Sequence, residues 1–273
     1  MEDPENLVGA LALERIEVNL FRGTAPANQG PRIFGGHVIA QALLAAYATV
    51  EDRICHSLHC YFIRPGDPSI PILYEVDRAR DGRTFTTRRV TAVQHGQQIF
   101  NLAASFEVEE EGLEHQDPMP AAPRPETLSD DPRRGGWDRP IEMRPVDLQD
   151  FADPKPGPPF QNIWMRSTAP LGDDLALNQA LIAYASDMSF LSTSMRPHGL
   201  GWQTPGLQTA SLDHAIWFHR RSRFTDWHLY AQKSPSASGG RGFNIGEIYD
   251  IDGRLVASTA QEGLIRHRPP ATA

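Results

Sequence analysis

Two stretches of the chain are apolar around most of a helical turn. The first is FGGHVIAQALLAAYATV, Phe34 to Val50, where Val38, Ala42, Leu43, Ala45 and Ala46 recur at helical spacing. The second is LALNQALIAYASDMSF, Leu175 to Phe190. Such apolarity predicts helices packed deep against another layer rather than lying on a surface. The first stretch is followed by HSLHCYFIRPGD, ILYEVDRARDG, RTFTTRRVTAVQHG and QQIFNLAASFEVEE. These runs mix apolar and polar residues and end at turn pairs such as Asp81-Gly82 and His95-Gly96, which predicts an antiparallel meander. The second stretch is followed by SLDHAIWFHR, HLYAQKSPSASGG, RGFNIGEIYDIDG and RLVASTAQEGLIRH, with the same rhythm.

The rhythm is a repeat. Phe62-x-Arg64 pairs with Phe218-x-Arg220, Gly82-Arg83-x-Phe85 with Gly240-Arg241-x-Phe243, and His95-Gly96 with Asp252-Gly253, at offsets of 156, 158 and 157. In the helices, Gln41-Ala42-Leu43 echoes Gln179-Ala180-Leu181 at the smaller offset of 138, so the second unit has the longer helix-to-strand connection. Residues 1–112 and 139–273 are therefore expected to be two tandem modules of ordinary domain size. Residues 113–138, dense in proline, glycine and acid, read as a linker exposed to solvent.

The net charge of −8 argues against a nucleic-acid partner, whose footprint would be basic. No apolar run reaches the length of a membrane span, and the acidic N-terminus lacks the pattern of a secretory signal. Both cysteines of the chain fall in CHSLHC, Cys55 to Cys60, with two histidines between them. On a strand, alternation puts Cys55, Ser57 and His59 on one face and His56, Leu58 and Cys60 on the other. The four would-be ligands then point apart, so no metal site is expected. Two cysteines make no disulfide scaffold, and a reducing cytoplasm is the default.

The chain resembles the acyl-CoA thioesterase II family over nearly its whole length. The resemblance is carried by LFRG (Leu20 to Gly23), IFGGHVIAQAL (Ile33 to Leu43), HSLHCYFIRPGD (His56 to Asp67), YASDMSFL (Tyr184 to Leu191), PHGLG (Pro197 to Gly201), SLDHAIWFHR, SASGGRGF (Ser236 to Phe243) and ASTAQEG (Ala257 to Gly263). Each is weak alone; together, in order, they are specific. The resemblance implies an α+β double hotdog: two tandem modules, each an antiparallel sheet wrapped around a long central helix. It also implies hydrolysis of fatty acyl-CoA, with acyl-CoA as the only small-molecule partner and no cofactor. The family's aspartate, hydroxyl and glutamine match Asp187 in YASD, Ser211 in SLDH and Gln261 in AQEG. A homo-oligomer, dimer or tetramer, is expected, since isologous assembly is common.

Taken singly, each of the three has a plainer reading: Asp187 as a helix-end cap, Ser211 and Gln261 as exposed strand residues. Together they suit a thioester, which is already activated and needs a positioned water, a proton acceptor and donors for the oxyanion. The repeat puts Thr49, Cys55 and Ala104 of the first module opposite them, so that module is expected to be catalytically silent. Aligning Ser57-Leu58 with Ser211-Leu212 instead shifts the strand by two and breaks the Cys55 match. Two histidines of SLDHAIWFHR, His214 and His219, lie five apart, on opposite faces of a strand, and are given structural roles. Pro235 in KSPSAS departs from the family pattern. Two rivals stay open: a hotdog enoyl-CoA hydratase, for which LGDDLALNQAL lacks a histidine, and a non-catalytic acyl-CoA-binding protein.

Overall fold

The computed structural model describes residues 4–26, 30–128, 141–147 and 153–268. A short helix α1 (Pro4–Leu11) comes first. Both apolar stretches form helices, each shorter than its stretch: α2 covers Gly35–Tyr47 and α3 covers Leu175–Ser186, about 18–20 Å of helix apiece. The second stops early because Ser186 turns its hydroxyl back to Ala183 O and Met188 N–H bonds to Ala185 O, tightening the last turn. Asp187 becomes the C-cap, and a separate short helix, α4 (Phe190–Met195), fills the longer connection of the second unit.

The strands are β1 (Glu14–Glu17), β2 (Leu20–Gly23), β3 (Ile54–Phe62), β4 (Ile72–Asp81), β5 (Phe85–Gln94), β6 (Gln97–Glu107), β7 (Ile141–Pro145), β8 (Phe160–Ser167), β9 (Leu207–Ser211), β10 (Asp213–Phe218), β11 (His228–Ser238), β12 (Arg241–Asp250) and β13 (Leu255–His267). They form one antiparallel sheet in the order β1-β2-β4-β5-β6-β3-β10-β13-β12-β11-β8-β7, with β9 beside β13. Each half is a meander, and the β3–β10 pair joins them at the middle, His59 opposite Ala215. α2 lies against β3 to β6 and against α3, while α4 covers β8, β11, β12 and β13. This is the double-hotdog arrangement, with central helices of between three and four turns.

Register shows the repeat directly. Arg88 faces Ala104 across the β5–β6 ladder, and Asn244 faces Gln261 across the β12–β13 ladder. Ala92 faces Phe100 and Ile248 faces Ala257, and each ladder slips by one residue just after that pair. The first strand of each ladder therefore matches at an offset of 156 and the second at 157. The Gly-Arg-x-Phe match at 158 is displaced by two from this register: Thr87, not Phe85, occupies the place of Phe243. The displacement arises because both copies carry a bulge at the same place, between Asp77 and Arg80 and between Lys233 and Ser236, and differ in the hairpin beyond it. Pro235 sits in the second bulge, where no ladder hydrogen bond is asked of it, so it leaves the hairpin as it is.

A bulge also corrects the alternation expected for CHSLHC. The ladder shifts between Cys55 and Ser57, so Cys55 turns to the core together with Leu58 and Cys60, and only His59 is exposed, its ring edge-on to Trp217. The same shift recurs at Ser211, which faces Gly263 as Cys55 faces Phe106. Register thus selects the Cys55–Ser211 match over the Ser-Leu alternative.

One apolar core runs through both halves, from Val38, Leu43, Leu58 and Val90 to Leu181, Ile182, Ile216 and Ile248. Each such side chain contributes roughly 1.5–3 kcal/mol by leaving water. Most of α2 and α3 is buried, and alanines let the two helices lie close. At their contact Tyr47 Oη donates to Gln179 Oε1 (2.5 Å) and accepts from Cys55 N–H, while Gln179 Nε2 donates to Cys55 O. The stretch expected as an exposed linker is, as far as residue 128, largely exposed, and it lies as a strap across the second half. Gln116 bonds to Gly253 O and Leu255 N–H, Pro123 O accepts from Trp164 Nε1, and Met119, Ala122 and Leu128 pack on Trp164, Trp227 and Leu229. Residues 129–138 of the expected linker lie outside the described residues.

Candidate active site

The three residues singled out by sequence lie far apart in the chain and meet at the end of α3. Asp187 is there because the helix ends there, and it is nine-tenths buried. Ser211 ends β9 just before the chain steps across to β10, and Gln261 points inward from the middle of β13. Gln261 Nε2 donates to Asp187 Oδ1 at 2.6 Å, and Ser211 Oγ donates to the same oxygen at 3.3 Å. Oδ1 is thus held by two donors. Oδ2 points the other way, at Gly35 in the first turn of α2, where an added Cβ would lie 2.6 Å from it and 2.9 Å from the Phe62 ring.

The site is therefore shared between the halves. Phe34 stands at the N-cap of α2 with no side-chain cap, and Gly36, the second residue of the helix, leaves so little room that an added Cβ would meet Tyr184 O and the Phe34 ring. A helix start leaves backbone N–H groups without intrahelical partners and carries partial positive charge. Here that end of the helix is bare and faces a carboxylate oxygen. The twin glycines of IFGGHVIAQAL were the sequence signal for this.

Behind the three residues stands His214, fully buried on β10. Its Nδ1 is 3.1 Å from Gln261 Nε2, and its Nε2 is 2.9 Å from Ser186 Oγ. Burial pushes its pKa down to about 4, with the Asp187 carboxylate pulling weakly the other way, so the ring is neutral near pH 7. Gln261 Oε1 is buried and has no hydrogen-bond partner among the described residues. Sequence reasoning gave His214 a structural role and did not connect it to Gln261. The other histidine of that strand, His219, sits at its exposed end and bonds to Ser258 Oγ.

Comparison with known proteins identifies the family. A model described as acyl-CoA thioesterase matches residues 136–264, and one described as acyl-CoA thioesterase N-terminal domain matches residues 24–107. Acyl-CoA thioesterase 2 of Haemophilus influenzae is 39% identical over 96% of this chain and 97% of its own. The chain belongs to the acyl-CoA thioesterase family. Among solved structures, an acyl-CoA thioesterase II from Mycobacterium marinum is 42% identical with a TM-score of 0.84, covering 96% of this chain and 98% of that one. A protein of unknown function with a hot dog fold from Alicyclobacillus acidocaldarius shares the fold at 22% identity and a TM-score of 0.82, over 96% of this chain and 98% of that one. Members of the family are thioester hydrolases, and the two matched segments fall on the two halves of the sheet.

Proposed function

We propose that this thioester hydrolase cleaves fatty acyl-CoA to free fatty acid and CoA with a water activated by Asp187, in a site where Ser211 and Gln261 hold the carboxylate. The observation that carries this reading is the division of labour at Asp187: Oδ1 is fixed by Gln261 and Ser211, and Oδ2 is turned toward the bare start of α2. A thioester carbonyl placed against the N–H groups of Gly35 and Gly36 lies where negative charge is favoured. Water held at Oδ2 attacks the carbonyl carbon and gives its proton to Asp187. The charge that develops on the carbonyl oxygen rests on the α2 terminus. Collapse breaks the C–S bond, and the departing CoA sulfur takes the proton from Asp187. Both N–H bonds of the Gln261 amide are used, one on Asp187 and one on His214, so this group is not the oxyanion donor. Its Oε1 stays buried without a partner among the described residues.

In this reading residues 139–273 carry the chemistry and residues 1–112 form the silent module that lends its helix end. The two buried free thiols, Cys55 and Cys60, suit a reducing cytoplasm, and a dimer or tetramer remains the expected assembly. Free-thiol release from a short-to-long panel of acyl-CoAs, by wild type and Asp187→Asn side by side, tests it. The expected result is a loss of about 10²- to 10⁴-fold in kcat with acyl-CoA binding retained. Equal rates in the two proteins remove Asp187 from the reaction. Hydration of a trans-enoyl-CoA without thiol release moves the site to the hydratase chemistry.

A further inference from the structure

We infer that His214 is a positioning residue for the hydrolysis: in its Nε2–H tautomer it dictates which way the Gln261 amide faces. The inference rests on the Asp187 reading above and extends it one shell outward. Ser186 Oγ has one proton, and it is committed to Ala183 O at 2.9 Å. The hydroxyl can then only accept from His214 Nε2, so that nitrogen carries the ring proton. His214 Nδ1 is left as an acceptor, and the group it meets at 3.1 Å must be the NH₂ of Gln261. The second N–H of that amide goes to Asp187 Oδ1, and Oε1 is left to face away. Every step follows from a single hydroxyl proton in the last turn of α3. In the opposite tautomer Nδ1–H would confront the Gln261 NH₂. The amide would then flip, present its oxygen to His214 and Asp187, and repel the carboxylate it now holds.

The first copy of the module supplies an independent observation. At the matching positions of β3 and β6 stand Leu58 and Ala104, and at the matching helix position, 138 residues before Ser186, stands Ala48. All three polar groups of the relay are apolar in the copy without an aspartate. A histidine needed only to fill the strand interface would have no reason to vanish together with the glutamine and the serine. Leu58 also shows that this strand position tolerates a leucine, buried in the core.

The test compares wild type, His214→Leu, His214→Asn, Ser186→Ala and Asp187→Asn by thiol release on the acyl-CoA that wild type hydrolyses fastest, with thermal melts of each. His214→Leu is expected to lower kcat by about 10- to 100-fold and to leave KM within about threefold, the signature of misplaced rather than missing chemistry. In His214→Asn, Oδ1 stands near the place of Nδ1 and is expected to recover about tenfold of the loss. Ring-nitrogen NMR of wild type at neutral pH is expected to show His214 Nε2 protonated and Nδ1 bare. A His214→Leu enzyme with wild-type kcat, or an Nδ1–H tautomer in wild type, overturns the inference. If His214→Leu fails to fold, His214→Asn and the NMR spectrum decide in the same way. Asp187→Asn separates the two levels: full activity there fells the underlying reading, whereas its collapse beside a fully active His214→Leu fells the positioning role alone.

Discussion

The two copies of the module share their strand order, the bulge at Asp77/Arg80 and Lys233/Ser236 and the ladder slips, with β3 of the first split into β9 and β10 in the second, and they differ where chemistry would occur. In the second copy Asp187, Ser211, Gln261 and His214 meet; in the first, the matching places hold Thr49, Cys55, Ala104 and Leu58. Opposite Ala104 the first copy has a buried arginine. Arg88 fills the space with its guanidinium, donating to Thr49 Oγ1 (2.9 Å), Thr49 O (3.0 Å), Arg80 O (3.2 Å), Thr87 O (3.0 Å) and Asp81 Oδ1 (2.6 Å). In the second copy that place belongs to the smaller Asn244. The helix ends differ in the opposite sense. α3 is capped by Asp174, whose carboxylate accepts from Leu177 N–H at 3.0 Å, and α2 is uncapped. The first copy fills the place of the Asp187 cluster with a bonded guanidinium but leaves its own helix start uncapped, and the second copy does the reverse. In the proposed reading the idle copy is still half of the site, because its uncapped helix serves the aspartate of the other.

The largest effect that would break this comparison is the loss of activity in Asp187→Asn, worth about 3–5 kcal/mol of transition-state stabilisation. If Thr49 and Arg88 instead hide a second working site, about half of the activity survives that substitution, and thiol-release kinetics will show it.

Acid sharpens the comparison next. Burial holds His214 and His37 down to about 4, His37 with its hydrogen bond to Thr24 O resisting the shift. Both folded values lie below the usual 6.5, so between about pH 6.5 and 4 the unfolded chain binds protons that the folded chain refuses. Stability is therefore full above pH 6.5 and declines as pH falls toward 4. Each ring is expected to cost about 2 kcal/mol between pH 7 and pH 5, read from urea melts. His214→Leu, which writes the first copy's residue into the second, should halve the slope arising from these two rings. An unchanged slope would mean that His214 takes up its proton in the folded state.

Much of this architecture was legible in the sequence because periodicity and turn chemistry report burial. The all-apolar stretches marked α2 and α3, the turn pairs marked the meanders, and the repeat marked the halves. What was missed depended on events of a single residue. The bulge after Cys55 reverses strand parity, and nothing in CHSLHC announces it. The early stop of α3 hangs on one serine hydroxyl, and the linker became a strap through Gln116 and Pro123, whose partners lie more than a hundred and thirty and about forty residues away, respectively. The three residues that meet at the end of α3 were legible through resemblance to a family. His214 was not, because a histidine on a strand reads the same whether it fills space or aims an amide.

Arg88→Met tests the idle copy by its stability. Methionine keeps the apolar stem and removes the guanidinium, leaving Thr49 and the carbonyls of Arg80 and Thr87 without their donor. The expected cost is about 2 kcal/mol in a chemical melt, with kcat within about twofold of wild type. The exposed Asp81 limits the penalty, since its charge returns to water when the partner goes. A fall in kcat matching that of Asp187→Asn would place Arg88 in the reaction and end the distinction between the copies.

The smallest effect separates the two helix ends. Asp174→Ala removes the cap of α3 and should cost about 1 kcal/mol of stability, leaving kcat and KM unchanged, because that end of the helix faces no catalytic aspartate. The uncapped end of α2 should answer in the opposite way. A methyl group at Gly35 meets Asp187 Oδ2 and Phe62, so Gly35→Ala should displace the carboxylate and lower kcat out of proportion to any change in melting temperature. Helix ends that matter only for folding would lose stability in both variants and activity in neither. A loss of stability at one end and of turnover at the other would show that the first copy gave up its own site and kept its share of its neighbour's.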